Sequence, residues 1–371
     1  MKVVAKLVQR LPGVFPATNF IKNTVSCRNL FFHADIYGEG VSEPDGKPTR
    51  TFFAMLFAGW QLIINISKAL KTKGTDNMIS ITDYIYMKAQ NLKEKLGKGS
   101  SLCSCRSLRF NGGNLPDYTN ELLQDVYAMR YSLAYAYEYK EIYQKLLERM
   151  TLGRMLEVTS IGCGNMVDYW SLKHALPGEC HVRYHGVDVI DWNDKFAACD
   201  GDHIDFAKQK IADYLSECDA LNSDVYVLPK SISEINDDEI EAICRTIGEK
   251  GFTKNEVHFL FSMRAYKDNL KDDKSKAKKI CEAIMELGMA PDADNGIVYE
   301  GENKKIYYSD RDFWIGKLMN GTYDMLYNFP MLCENYTKGI CSCAMCNNNT
   351  NRPMLNAMYM RYQIFTFRKV A

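Results

Sequence analysis

The sequence lacks the features that mark membrane, secreted or disordered proteins. Its longest apolar run, residues 51–66, is shorter than the roughly 20 residues that span a bilayer, and Gln61 and Asn65 interrupt it. No amino-terminal stretch combines a basic start, an apolar core and a small-residue cleavage site. With 46% hydrophobic and 25% charged residues, the composition is that of a globular protein. We therefore expect a folded, non-secreted chain without a membrane anchor.

A disulfide framework is also not indicated. The 13 cysteines are an odd number and are scattered along the chain. Reduced thiols in a cytoplasmic compartment fit this usage best. An organelle-targeting leader is the alternative, because residues 1–34 carry five basic residues and no acidic one. Pro12 and Pro16 would interrupt an amphipathic helix in that stretch.

The chain has no net charge, but its charge is unevenly distributed. There are 46 Lys and Arg residues and 46 Asp and Glu residues, yet residues 1–150 hold 20 basic and 13 acidic ones. A basic front half suits an anionic partner such as RNA, and a merely uneven surface is the alternative. At 371 residues we also expect two domains, or one domain with a large extension.

Residues 1–150 are predicted to be mostly helical and to recruit the substrate or to cover it as a lid. One helix starts at a Ser or Thr cap near residue 80 and ends at Gly97 or Gly99, and a longer helix follows over 119–150. The longer helix carries tyrosines at helical spacing, which are typical of a core or an interface. Stacking on RNA bases is the alternative for Tyr127, Tyr131, Tyr135, Tyr137, Tyr139 and Tyr143.

From residue 155 onward, apolar strand patterns alternate with helical patterns of 10 to 15 residues. This alternation predicts an α/β fold with a largely parallel sheet. The stretch 203–215, "HIDFAKQKIADYL", fits a strand followed by a helix or one continuous helix.

The stretch "SIGCGNMVDYW", residues 160–170, combines a strand end, a Gly-x-Gly turn and a helix start. In a parallel sheet, such a turn brings backbone amides close to a ligand beyond the strand ends. Asp188 ends the next strand, where a carboxylate can accept hydrogen bonds from ribose hydroxyls. A dinucleotide site is less well supported, because Val167 stands where its third glycine is expected.

"SIGCG", "YHGVDVIDW" and "DVYVLPKSISEI" resemble motifs of class I S-adenosylmethionine-dependent methyltransferases, over roughly residues 150–371. The resemblance implies a Rossmann-like sheet, mostly parallel with an antiparallel last strand, in a domain at 151–371. It also implies that Gly162 and Gly164 pass close to the cofactor's methionine part and that Asp188 binds its ribose. The other cofactor-binding residues that the resemblance implies are Ser160, Cys163, Asp168, Val189 and Pro229.

Two positions depart from that family's pattern. Ser160 replaces an acid before the turn, and Met166 replaces a third glycine. Cofactor affinity would then depend more on Asp168 or on backbone carbonyls.

The motif "LPKS" disfavours the exocyclic amines of nucleic-acid bases and glutamine amides as acceptors. Members of the family that methylate those groups tend to carry Asn or Asp before Pro-Pro. Methyl transfer needs a nucleophile held in line and, where necessary, a base. The candidate base or positioning residues are Lys230, Ser231 and Glu234, with Ser233 beside them. A strand end followed by a capped helix is the purely structural alternative for each.

Four thiols lie within residues 333–346, in an insertion of the second domain. They could close a tetrahedral structural zinc site, although their spacing is not a common finger pattern. Buried or incidental cysteines are the alternative for Cys333, Cys341, Cys343 and Cys346.

The sequence thus predicts methyl transfer from S-adenosylmethionine. An RNA acceptor is mildly favoured by the basic, aromatic front half, and a small-molecule acceptor is the runner-up. A non-catalytic binding module with the same fold is a third hypothesis, because the acid is missing at Ser160.

Overall fold

A computed structural model describes residues 78–98, 117–265, 267–292, 297, 299–300, 338–339 and 360–370. These residues belong to one compact unit, Ala69–Ala371. The apolar run at 51–66 and the zinc prediction for Cys333, Cys341, Cys343 and Cys346 lie outside the described residues.

The described strands form one twisted layer. β1 to β5 pair in parallel, and the last strand, β8, runs antiparallel to β5, β6 and β7. The order across the sheet is β3-β2-β1-β4-β5-β8-β6, with β7 on β8. This arrangement confirms the α/β, Rossmann-like sheet, mostly parallel with an antiparallel last strand, that the sequence predicted. The strands are β1 (Met155–Ile161), β2 (His181–Asp188), β3 (His203–Lys208), β4 (Val225–Pro229), β5 (Glu256–Arg264), β6 (Met289–Pro291), β7 (Tyr299–Glu300) and β8 (Met360–Lys369).

Helices cover both faces of the sheet and bury two separate apolar clusters. One cluster lies under α1 (Ile81–Gly97), α2 (Glu121–Leu147) and α3 (Val167–Ala175). The other lies under α4 (Ile211–Glu217), α5 (Asp237–Lys250) and α6 (Lys267–Glu286). None of the described helices is both long and apolar enough to cross a membrane.

Local sequence explains where the helices begin. The Ser80 hydroxyl accepts a hydrogen bond from the Asp83 amide, and the Asn120 side chain accepts from the amide of Leu122. Such caps satisfy amides that have no partner inside the helix. The predicted start of α1 at a Ser or Thr cap is therefore confirmed. Residues 203–215 form a strand and then a helix, which resolves the alternative left open by the sequence.

Buried charges tie α1 and α2 to the loop that follows β2. The Lys88 ammonium lies 3.3 Å from an Asp125 oxygen and 2.9 Å from an Asp194 oxygen. The Gln124 side chain accepts the Asn193 amide at 2.8 Å. Residues before position 150 therefore help to shape the sheet's edge, and the division of the chain at residue 150 stays a prediction.

Replacing Lys88 with Met should destabilise the protein by about 3 kcal/mol, because Asp125 is almost fully buried and would lose one of its two lysine partners. Urea denaturation followed by circular dichroism measures this loss. Lys98→Met is the matched control, since Lys98 and its partner Glu94 are both mostly exposed. Equal midpoints for the two variants would contradict the importance of the Lys88 pairs.

Candidate functional site

A cavity of about 280 Å³ opens where β1, β2 and β4 end. Ligands of open α/β sheets bind beyond the carboxyl ends of their strands, and this cavity occupies that position. Its wall includes the Gly-x-Gly turn, the end of β2 and the segment after β4, so it joins the three motifs that the sequence singled out.

The turn after β1 brings two strand ends into close contact. Gly162 has a φ of +70°, and a Cβ atom there would lie 2.4 Å from the Ser231 Cβ. The Ser231 hydroxyl donates a short hydrogen bond to the Ile161 carbonyl, and the Gly162 amide donates to the Val187 carbonyl at 2.7 Å. Only glycine can adopt this left-handed conformation readily and also allow Ser231 to come so close.

Met166 shows what replaces the expected third glycine. It adopts a left-handed φ of +63° immediately before α3, a conformation that costs a non-glycine residue roughly 1–2 kcal/mol. Its side chain is 1% exposed and packs beside Gly186. The backbone therefore keeps the conformation that glycine favours, and burial of the methionine side chain offsets the strain.

Asp188 ties the end of β2 to the turn. One carboxylate oxygen accepts the Gly164 amide at 2.9 Å, and the other accepts the Ile190 amide at 2.8 Å. Burial raises the pKa of Asp188 above its ordinary value. Each oxygen of a carboxylate has a second lone pair, so Asp188 can still accept two hydroxyl groups from a ligand. Val189, next to it, also lines the cavity and is largely exposed.

Three of the predicted cofactor residues, Ser160, Cys163 and Asp168, do not line the cavity. All three are buried, Cys163 within the turn itself, and the Tyr184 hydroxyl donates to both oxygens of Asp168 at 2.8 and 2.9 Å. Burial raises the pKa of Asp168 to about 6. Gly162, Gly164, Asp188, Val189 and Pro229 do line the cavity, and a role for the buried three in cofactor binding stays a prediction.

The predicted catalytic residues Lys230, Ser231 and Glu234 all line the cavity. Lys230 has a left-handed φ of +58°. Its ammonium lies 2.8 Å from the buried carboxylate of Glu138 on α2 and 5.2 Å from the centre of the Tyr135 ring. Residues held in strained conformations concentrate at functional sites. Because the Ser231 hydroxyl donates to the Ile161 carbonyl, the structure favours a positioning role for Ser231.

Glu234 faces a cation on the neighbouring strand. Its Oε1 atom accepts a hydrogen bond from Arg264 at 2.7 Å, and 29% of the Glu234 side chain remains exposed. Burial raises the pKa of Glu234, and Arg264 opposes that rise. Ser233, by contrast, does not line the cavity.

Sequence reasoning missed an aromatic wall formed by Tyr118, Tyr127, Tyr135 and Trp192. The ring centres of Tyr118 and Tyr127 lie 5.3 and 5.2 Å from that of Trp192. The tyrosine spacing on α2 indicated a buried face, but nothing in the spacing showed that this face borders a cavity. Gln209 and Ile211 were also missed, because their placement depended on whether residues 203–215 start as a strand.

No group of three or more His, Cys, Asp or Glu side chains suited to a metal ion occurs within the part of the chain that the structure describes. The four cysteines between residues 333 and 346 lie outside that part, and their zinc site stays a prediction.

No protein-family model matches the sequence, and no curated protein is found to resemble it. Among solved structures, plantazolicin methyltransferase BpumL with SAH is similar at 11% identity and a TM-score of 0.36, covering 77% of this chain and 100% of that one. A 1,6-didemethyltoxoflavin-N1-methyltransferase of Burkholderia thailandensis is 12% identical, with a TM-score of 0.33, and the match covers 64% of this chain and 79% of that one. Phosphoethanolamine N-methyltransferase 2 of Haemonchus contortus is 12% identical, with a TM-score of 0.32, and the match covers 65% of this chain and 57% of that one. The strand order of the sheet defines the fold of this chain.

Gly162→Ala should disrupt the turn far more than the same change at Gly164. A Cβ atom added at position 162 would lie against Ser231, whereas a Cβ at Gly164 meets only the Trp192 ring, at 3.7 Å. Gly164→Ala should therefore cost only the left-handed strain of roughly 1–2 kcal/mol. Urea midpoints of the two variants test this, and equal losses would show that the contact with Ser231 is not limiting.

Asp168→Asn should stabilise the protein at pH 7 and flatten its pH dependence. The pKa of Asp168 rises from an ordinary 3.8 to about 6 on folding, so between these values the folded state binds more protons than the unfolded state. This group's stabilising contribution is therefore present at low pH and is lost as the pH rises to about 6 and above. The shift corresponds to at most about 3 kcal/mol.

Thermal unfolding of both proteins from pH 4 to 7.5 measures the effect of Asp168→Asn. The difference between the two curves isolates Asp168 from Asp273, whose pKa burial also raises to about 6. A variant that is less stable than the parent at pH 7 would contradict the prediction that the buried charge of Asp168 destabilises the folded protein.

Proposed function

We propose that this protein transfers the methyl group of S-adenosylmethionine to an acceptor bound in the same cavity. The observation that carries the proposal is the hydrogen bond from the Gly164 amide to Asp188, which joins the turn to the strand-end acid on one cavity wall. The end of β4 completes that wall with Pro229 and Lys230. This combination supports cofactor binding better than two glycines alone would.

The charge of the lining residues suits a cationic cofactor. Four carboxylates line the cavity, against two cations. Opposite charge at close range favours binding, and the partly enclosed site strengthens it. Both oxygens of Asp188 retain capacity for ribose hydroxyls. The four carboxylates are Asp117, Asp188, Glu234 and Glu239, and the two cations are Lys230 and Arg264.

The cofactor would supply an electrophilic methyl group, so the protein's own tasks are positioning and proton removal. Ser231 holds the segment after β4 against the carbonyl of Ile161. Lys230 is fixed by Glu138. Glu234 is the lining carboxylate among the three catalytic candidates, and a raised pKa suits a group that accepts a proton near neutral pH.

The acceptor of the proposed reaction is a small molecule. The cavity volume of about 280 Å³ is just below the range of roughly 300–1,000 Å³ that is typical of small-molecule sites. The excess of lining carboxylates favours this alternative over RNA, whose phosphates they would repel. The RNA prediction rests on the basic residues of 1–150, many of which lie outside the described ranges.

Asp188→Ala should lower the affinity for S-adenosylhomocysteine at least tenfold, because charged hydrogen bonds contribute about 1.5–3 kcal/mol each. Asp168→Asn should leave that affinity within about threefold, since Asp168 does not line the cavity. Calorimetric titration measures both. If the unmodified protein binds neither S-adenosylhomocysteine nor S-adenosylmethionine, a non-catalytic module becomes the better description.

A further inference from the structure

The aromatic wall faces the same cavity as the turn. Tyr118 packs edge-on against Tyr127, with ring centres 5.4 Å apart, and both contact Trp192. The Trp192 ring in turn lies beside Gly164 of the turn. A ligand group that enters next to the turn therefore meets aromatic side chains. Such walls favour planar rings, which gain about 0.5–1.5 kcal/mol per aromatic contact beyond the area that they bury.

The wall's charges disfavour a cationic acceptor. Lys230 lies over the Tyr135 ring and pairs with Glu138. Arg264 pairs with Glu234 and lies close enough to Tyr118, Tyr127 and Tyr135 to affect their pKa values. Two protein cations thus already lie beside these rings, so a cationic acceptor would compete with them for the ring faces. Because the lining carboxylates also disfavour polyanions, a neutral ring is the ligand that both effects allow.

Glu234 has one oxygen left to act on such a ligand. Its Oε1 atom is engaged by Arg264. Its Oε2 atom has no hydrogen-bond donor among the described residues, and the side chain is partly exposed to the cavity. A carboxylate oxygen in this state can accept a proton from a bound hydroxyl group.

We propose that the acceptor is a small, neutral aromatic molecule with a hydroxyl group, bound against the aromatic wall, and that Glu234 takes its proton. This inference rests on the proposed methyl transfer. The acceptor's O–H bond breaks and its proton passes to Glu234 Oε2. The acceptor oxygen forms the new C–O bond while the bond between sulfur and methyl breaks, and that electron pair stays on sulfur. A methyl ether, neutral S-adenosylhomocysteine and protonated Glu234 result, so atoms and charge balance.

Binding tests the acceptor class first. Protein loaded with S-adenosylhomocysteine is titrated with 2-naphthol, with decahydro-2-naphthol of similar size, with 2-phenylethylamine and with a 12-nucleotide RNA. We expect 2-naphthol to bind about tenfold more tightly than its saturated counterpart. Tyr127→Leu and Tyr118→Leu should each reduce that preference, whereas Tyr86→Leu, on the exposed side of α1, should not. Equal binding of the two naphthols, or preference for the amine or the RNA, would overturn the assignment.

Transfer tests the role of Glu234. With S-adenosylmethionine labelled in its methyl group, label should enter 2-naphthol, and Glu234→Gln should slow transfer about 100-fold or more while both ligands still bind. Glu241→Gln, an exposed change on α5, is the control and should retain full transfer. Undiminished transfer by Glu234→Gln would overturn its role as base.

The two proposals fail in distinguishable ways. If S-adenosylhomocysteine binds but no label enters 2-naphthol, the acceptor assignment is wrong and the cofactor proposal stands. If S-adenosylhomocysteine does not bind, both are wrong.

Discussion

The close approach of β1 and β4 at Gly162 is the constraint on which the candidate site depends. The missing Cβ allows Ser231 to reach the Ile161 carbonyl, and this contact sets where the segment after β4 lies. That segment carries Lys230 and Glu234, so these two cavity-lining residues are held by the same contact that shapes the Gly-x-Gly turn. Because Gly162 also donates to Val187, the end of β2 and its Asp188 are held in the same arrangement.

The helices before β1 provide the second half of the site. α2 supplies Tyr127, Tyr135 and Glu138, and with α1 it holds the loop after β2 through Lys88 and Gln124. Trp192 lies in that loop and contacts both the turn and the aromatic wall. The turn and the aromatic wall are therefore connected by side chains from different parts of the chain. A change in α1 can reach the turn through this loop without touching the cavity.

Much of this architecture could be predicted because it follows from local pattern. The alternation of strands and helices, the caps and the Gly-x-Gly turn depend on neighbours in the sequence, and the structure confirms them. The pair between Lys230 and Glu138 joins distant parts of the chain, and no periodicity specifies such a contact. The same holds for the aromatic wall, whose tyrosines have core spacing whether or not a cavity lies beside them. Asp168 shows a third limit: its position after the turn suggested a ligand contact, and no sequence pattern showed that its carboxylate accepts a hydrogen bond from the Tyr184 hydroxyl.

Burial gives the proposed chemistry its direction. Removing carboxylates from water raises the pKa of both Asp188 and Glu234, which means that their charged forms are held at a cost. In the proposed reaction Glu234 begins as an anion in a cavity that also holds a cation, and it ends protonated beside neutral products. A partly enclosed site screens charges less than water does. It therefore favours a reaction in which a separate anion and cation are both neutralised. Arg264 limits this effect, because its hydrogen bond and positive charge at Oε1 favour the charged form of Glu234 and so oppose the rise of its pKa. The pKa of this carboxylate, and hence its readiness to accept a proton, thus depends mainly on the balance between burial and the ion pair with Arg264.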